Sequence, residues 1–320
     1  MKPKWKLFIV IMSIGMISWL LVQSSYVDTY ISQLKEQQVV SVTKKTDPLY
    51  EEIKQKAKQY EVAPKDAMID TIWKTVPGYN GLQVDIQSSF EMMKKEGIFN
   101  EKKLIYKEVP PKVHLSDLEA APIYRAHPDK PVVSFLINVA WGNEHLPPML
   151  LVLKKHNIKA TFFLEGKWAK NNPELVKMIK EAGHEIGNHS YSHPNLKTLS
   201  SVQTRQQLEE TNKILKAITG ESPTLFAPPS GAFRDETVTI ANEFGMKTIM
   251  WSVDTIDWQR PPSSVLIERV MSKIHKGAFI LMHPTAPTAQ SLDQLIVLIK
   301  EKNLHIKTVS DALKEDRIMH

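Results

Sequence analysis

The chain contains no cysteine among its 320 residues. That excludes a disulfide framework, a thiolate zinc site and a cysteine nucleophile. It carries no basic run with interleaved aromatics, and a formal net charge of +6 is too mild to indicate nucleic acid as a partner. The surplus of positive charge suits anionic surroundings such as a membrane or an acidic wall polymer. No Gly-rich phosphate loop opens the first strand–helix unit, which argues against a dinucleotide-binding fold. No repeat is visible residue by residue.

The N-terminus is the first positive signal. Lys2, Lys4 and Lys6 precede an apolar run from Leu7 to Val22, 16 residues long. Trp5 and Tyr26 flank it as interfacial anchors. The segment 1–24 is expected to be an uncleaved signal-anchor, a transmembrane helix. The competing reading is a signal peptide with Val22-Gln23-Ser24 as a poor cleavage site. Either reading keeps the lysines inside and exports the rest, so a membrane-anchored or secreted protein is expected. Residues 25–46 are polar and read as a stalk. Residues 47–110 alternate short helical and strand patterns around a Pro77-Gly78-Tyr79-Asn80-Gly81 turn cluster and read as a small mixed α/β domain. Residues 111–130 read as a linker.

From 131 to 320 the rhythm is regular. Strand-like runs are Val132–Ala140, Ala160–Leu164, His184–Asn188, Thr224–Ala227, Thr248–Val253, Ala278–Met282 and His305–Val309. Amphipathic helical stretches such as Pro173–Ala182, Ser201–Ile218 and Val265–Ile274 lie between them, and Gly183, Gly220 and Gly277 close others. Strand and helix in alternation predict parallel strands with helical crossovers, either an open doubly wound sheet or a barrel.

In both architectures functional groups collect at the C-terminal ends of the strands. His189 and His193 follow the third run, four residues apart, as a pair that can meet one divalent, zinc-like metal; two imidazoles alone do not complete such a site. Ala227-Pro228-Pro229-Ser230-Gly231 ends the fourth run. Asp254 and Asp257 end the fifth, with Trp258 as a pocket wall. His283 ends the sixth. As a general acid it needs a carboxylate partner, and both aspartates are available.

Lys159-Ala160-Thr161-Phe162-Phe163, then Gly183-His184-Glu185-Ile186-Gly187-Asn188-His189-Ser190-Tyr191-Ser192-His193-Pro194, then Trp251-Ser252-Val253-Asp254-Thr255-Ile256-Asp257-Trp258, then Leu281-Met282-His283 follow one another in order. Together they resemble the motifs of the polysaccharide deacetylases, the NodB-homology or family 4 carbohydrate esterases, over residues 130–315. The overall layout is most similar to a sporulation-associated subgroup from Bacillus-like spore formers. The resemblance implies a deformed parallel (β/α)7 barrel and hydrolysis of N-acetyl groups on glycans of cell wall or spore cortex. It also implies a metal held by one Asp and two His, a second Asp as base and a His as acid. Carried onto this chain, His189 and His193 are the expected ligands, His283 and Asp254 the expected catalytic pair, and Pro228, Pro229 and Trp258 the expected substrate pocket.

The chain departs from the family at the first and third motifs. The first, roughly Thr-Phe-Asp-Asp-Gly, is here Asn138-Val139-Ala140-Trp141-Gly142. Ala140 stands where the base is expected and Trp141 where the carboxylate ligand is expected. Ala227 replaces the Arg that supports the base. Loss of a positioned base alone costs about 10²–10⁴ in rate. Glu144, Glu165 and Asn138 are the nearby side chains that could substitute. Two functions follow: a metal-dependent N-deacetylase with a rearranged site, or a catalytically degenerate protein that binds envelope glycan or a partner. A structural scaffold acting through residues 47–110 is a third class.

Overall fold

The computed structural model describes residues 47–318, together with Met12, Met16 and Thr29. These form two compact units: one runs to Gln59 and adds Val84–Ile105, and the other comprises Tyr60–Gln83 and Tyr106 onward.

The smaller unit is built on two capped helices. The Asp47 carboxylate accepts from Leu49 N at 2.9 Å and opens α1 (Pro48–Lys56), with proline at the first helical position. Asp85 does the same for α2 (Ile86–Met93), accepting from Ser88 N at 3.0 Å. Leu49, Ile53 and Met93 are buried, and Tyr50 meets Phe90 edge to face at 5.7 Å.

The larger unit holds an eight-stranded parallel sheet. Two small two-stranded sheets precede it in the chain, β1 (Met68–Asp70) with β2 (Lys74–Val76), and β3 (Gly81–Val84) with β4 (Tyr106–Val109). The main strands are β5 (Val132–Val139), β6 (Thr161–Leu164), β7 (Glu185–Asn188), β8 (Leu225–Phe226), β9 (Lys247–Thr248), β10 (Val253–Asp254), β11 (Ala278–Met282) and β12 (His305–Ile306). Their order is β10-β11-β5-β6-β7-β8-β9, with β12 added beside the start of β5. Every residue of β5 is buried, as a central parallel strand covered on both faces requires.

The expected barrel is observed as a parallel half-barrel. Seven strand-like runs become eight strands because Thr248–Val253 does not stay with one neighbour. Ile249 N donates to Phe226 O beside β8, whereas Ser252 N donates to Phe279 O beside β11. One stretch of chain therefore supplies both edges of the sheet, β9 and β10. Between them Met250 N donates to Ile123 O. Residues 111–130, read from the sequence as a linker, include the fully packed Ile123, Ala126 and Lys130. The Lys130 ammonium donates to Lys314 O at 2.7 Å and faces Asp316 at 3.2 Å.

The expected N-terminal transmembrane helix is corrected. Among the described residues no helix is long and apolar enough to cross a membrane. The apolar run of 16 residues also falls short of the ~20 that span a hydrocarbon core. Residues 1–24 and the stalk 25–46 lie outside the described residues apart from Met12, Met16 and Thr29.

Register brings the C-terminal ends of the strands level. Ile137 pairs with Met282, Val139 with Leu164, Leu164 with Asn188, Asn188 with Phe226, and Asp254 with Leu281. The residues immediately beyond these positions share one rim.

Candidate active-site pocket

A cavity of about 420 Å³ opens at that rim, and its lining includes Asn138, Ala140, Trp141, His189, His193, Ser230, Asp254, Trp258 and His283. The sheet register thus gathers most of the residues expected from the sequence. Ala227, Pro228 and Pro229 are the exceptions. All three are buried at the end of β8 and do not line the cavity; Ser230 and Trp251 do. Trp251 reaches the pocket because Gly231 leaves room, since a Cβ there would stand 2.8 Å from its ring.

His189 is held from both sides. Its backbone N donates to Leu164 O at 3.0 Å and its Nδ1 to Ala227 O at 2.8 Å. The carbonyl can only accept, so Nδ1 carries the hydrogen and Nε2 keeps its lone pair. Burial, helped by the nearby His193, pushes the His189 pKa down to about 3, and the imidazole is neutral. His193 is likewise pulled below the ordinary histidine value by burial. The rings lie 5.1 Å apart at 66°. The loop between them turns through left-handed backbone at Ser190 and His193. Gln207 Oε1 braces it, accepting from Tyr191 N at 3.0 Å and Ser192 N at 2.9 Å.

The partner of His283 is Asp257. Its Oδ1 accepts from His283 Nδ1 at 2.8 Å, and its Oδ2 accepts from His283 N at 2.6 Å and Thr288 Oγ1 at 2.6 Å. Asp257 is fully buried, so these bonds compensate a charge taken out of water. Asp254, which the sequence offered as the catalytic carboxylate, lines the cavity, but its Oδ1 accepts from Ile256 N at 2.8 Å. The turn between them places the β-branched Ile256 at φ +51°, a strained position that turns the chain so that Asp257 reaches His283. Arg269 steadies the turn by donating to Thr255 O at 2.8 Å. Sequence reading missed the two supporting hydroxyls. Thr285 caps α3 (Ala286–Glu301) by accepting from Thr288 N, and that capping pattern was the available signal.

The β5 rim carries the largest change. Gly142 has φ +84°, and a Cβ on it would stand 2.0 Å from Pro284 O. The chain after Trp141 therefore runs directly against the residue that follows His283. As a result the Trp141 indole stacks on the His283 ring, centroids 6.0 Å apart and planes 10° from parallel. Trp141 remains 47% exposed.

The donor set does not fit a resident tetrahedral metal. Among the described residues no three His, Cys, Asp or Glu converge, and catalytic zinc takes three protein ligands. Of the side chains that could compensate, Glu165 is spent as a helix N-cap, accepting from Trp168 N at 3.2 Å, and burial raises its pKa. Glu144 is exposed and faces His145 at 3.4 Å. Only Asn138 reaches the cavity.

Comparison with known proteins now bears on this geometry. The family model described as polysaccharide deacetylase matches residues 125–249. A family 4 carbohydrate esterase pseudoenzyme from Bacillus anthracis superposes with a TM-score of 0.81 at 57% identity, covering 85% of this chain and 97% of that one. The chain belongs to the polysaccharide deacetylase family. A mutant of the same pseudoenzyme with restored enzymatic activity superposes equally well. The uncharacterized protein YlxY of Bacillus subtilis is 51% identical over the whole of both chains. A peptidoglycan-N-acetylglucosamine deacetylase of Bacillus cereus is 36% identical over 54% of this chain and 65% of its own.

Proposed function

We propose that this family member binds N-acetylated, peptidoglycan-like glycan in the half-barrel pocket without hydrolysing it. One observation carries the reading. The positions of the family's base and carboxylate ligand hold Ala140 and Trp141, and Trp141 lies stacked on His283, the family's general acid. Neither an alanine methyl nor an indole can take a proton from water as a positioned carboxylate does. The pocket nevertheless remains open at about 420 Å³ and keeps its aromatic walls. The likeness to a pseudoenzyme and to a peptidoglycan deacetylase supports the same division, recognition kept and chemistry lost. In this reading the protein acts outside the cytoplasmic membrane, where wall glycan is found and where the basic N-terminus followed by an apolar run would send it.

The test is to incubate purified protein with N-acetylated wall glycan strands and measure sedimentation and acetate together. Cosedimentation with acetate at the level of a His189→Ala/His193→Ala variant supports the reading. Acetate release above that level sinks it, and so does the absence of cosedimentation.

A further inference from the structure

One buried polar atom of the pocket has no partner. Asn138 stands two residues before Ala140 on β5, so both side chains lie on the same face of the strand. It is 4% exposed and lines the cavity. Its Oδ1 is buried and accepts no hydrogen bond. An amide oxygen left unpaired away from water opposes folding, and such atoms are rare unless something outside the chain satisfies them. The fixed imidazole N–H groups nearby do not serve it, because His189 gives its Nδ1 hydrogen to Ala227 O and His283 gives its own to Asp257. Beside the polar His189, His193 and Asp254, the pocket carries open aromatic walls. Trp141 and Trp258 each leave about half of their surface open, and Ala140 adds a methyl. A pyranose with an acetamido group matches this combination. It offers C–H faces to the indoles, a methyl to Ala140, and N–H and O–H donors to the buried Asn138 Oδ1.

We propose that Asn138 is a ligand-binding residue, its Oδ1 accepting a hydrogen bond from the amide N–H or a hydroxyl of an N-acetylamino sugar seated against Trp141 and Trp258. This rests on the glycan-binding reading above and names the atom that does the recognising. The opening position of the altered first motif becomes the polar anchor of a receptor.

Calorimetric titration of the full chain with tetra-N-acetylchitotetraose tests it, using wild type, Asn138→Leu and Trp141→Ala, each checked for folding by its melting temperature. Asn138→Leu keeps the bulk and removes the acceptor, and should weaken binding about fivefold to tenfold. A crystal structure of the wild-type complex should place a sugar N or O within about 3.2 Å of Oδ1, and this decides the matter if Asn138→Leu does not fold. Unchanged affinity in Asn138→Leu with loss in Trp141→Ala overturns the role of Asn138 and leaves glycan binding standing. No binding by wild type overturns both. A parallel zinc titration covers the other occupant. Loss of zinc binding in Asn138→Leu, with saccharide affinity intact, would show the amide to be a metal ligand and overturn the proposal.

Discussion

The Trp141 indole and the His283 imidazole lie face to face, 6.0 Å between centroids and 10° from parallel. The contact follows from Gly142, whose left-handed backbone brings the β5 loop against Pro284. Trp141→Ala should weaken binding of N-acetylated oligosaccharide by about 1–2 kcal/mol, the scale of an aromatic contact and its buried area. It should not release acetate, because removing the indole supplies no base. Calorimetry and an acetate assay on one preparation check both.

Restoring the first motif should restore its chemistry. Ala140→Asp/Trp141→Asp adds a base and a third ligand beside His189 and His193. The double variant is expected to bind zinc stoichiometrically and to release acetate from N-acetylated glycan at least about 10² above wild type. Metal analysis after dialysis and acetate release with and without chelator measure it.

The Asp257 carboxylate gathers four donors, from His283 N and Nδ1 and from the Thr285 and Thr288 hydroxyls. Asp257→Ala leaves these groups buried without an acceptor and should cost about 3–5 kcal/mol of stability, read by denaturant unfolding. Asp254→Ala should cost far less, because Asp254 accepts within its own turn at a half-buried position.

Two buried histidines remote from the pocket set an acid response. Burial lowers the pKa of both His127 and His184 to about 4. Each is neutral in the folded protein at pH 5, while the unfolded chain protonates near 6.5. The unfolded state therefore binds more protons as the pH falls. Stability is full above about 6.5, drops by about 1.4 kcal/mol per pH unit for each histidine towards 4, and levels off below. A His184→Gln variant should show a shallower slope between pH 6 and 4 in urea midpoints. An equal slope would remove His184 from the account.

The parallel sheet was legible because runs such as Val132–Ala140, Ala160–Leu164 and Ala278–Met282 are largely apolar and amphipathic stretches separate them, patterns that survive without tertiary information. The histidines and His283 were legible as polar residues at strand ends. Four features were not. The run 248–253 is one strand in sequence, and only the identity of its neighbours divides it into β9 and β10. Asp254 and Asp257 are equivalent by composition, and the strained turn at Ile256 chooses between them. Pro228 and Pro229 matched a pocket motif, yet the neighbouring Ser230 is the residue that lines the cavity. The meaning of Trp141 also depended on a tertiary contact, since an aromatic at a ligand position says only that the ligand is gone.

The central claim is recognition without turnover, and one experiment addresses both halves. Wild-type protein is titrated calorimetrically with an N-acetylated peptidoglycan fragment in the presence of zinc, and the recovered saccharide is weighed by mass spectrometry. The account predicts saturable binding and a saccharide of unchanged mass. Recovery of saccharide that has lost acetyl groups, or a titration with no binding heat and no saturation, would contradict it.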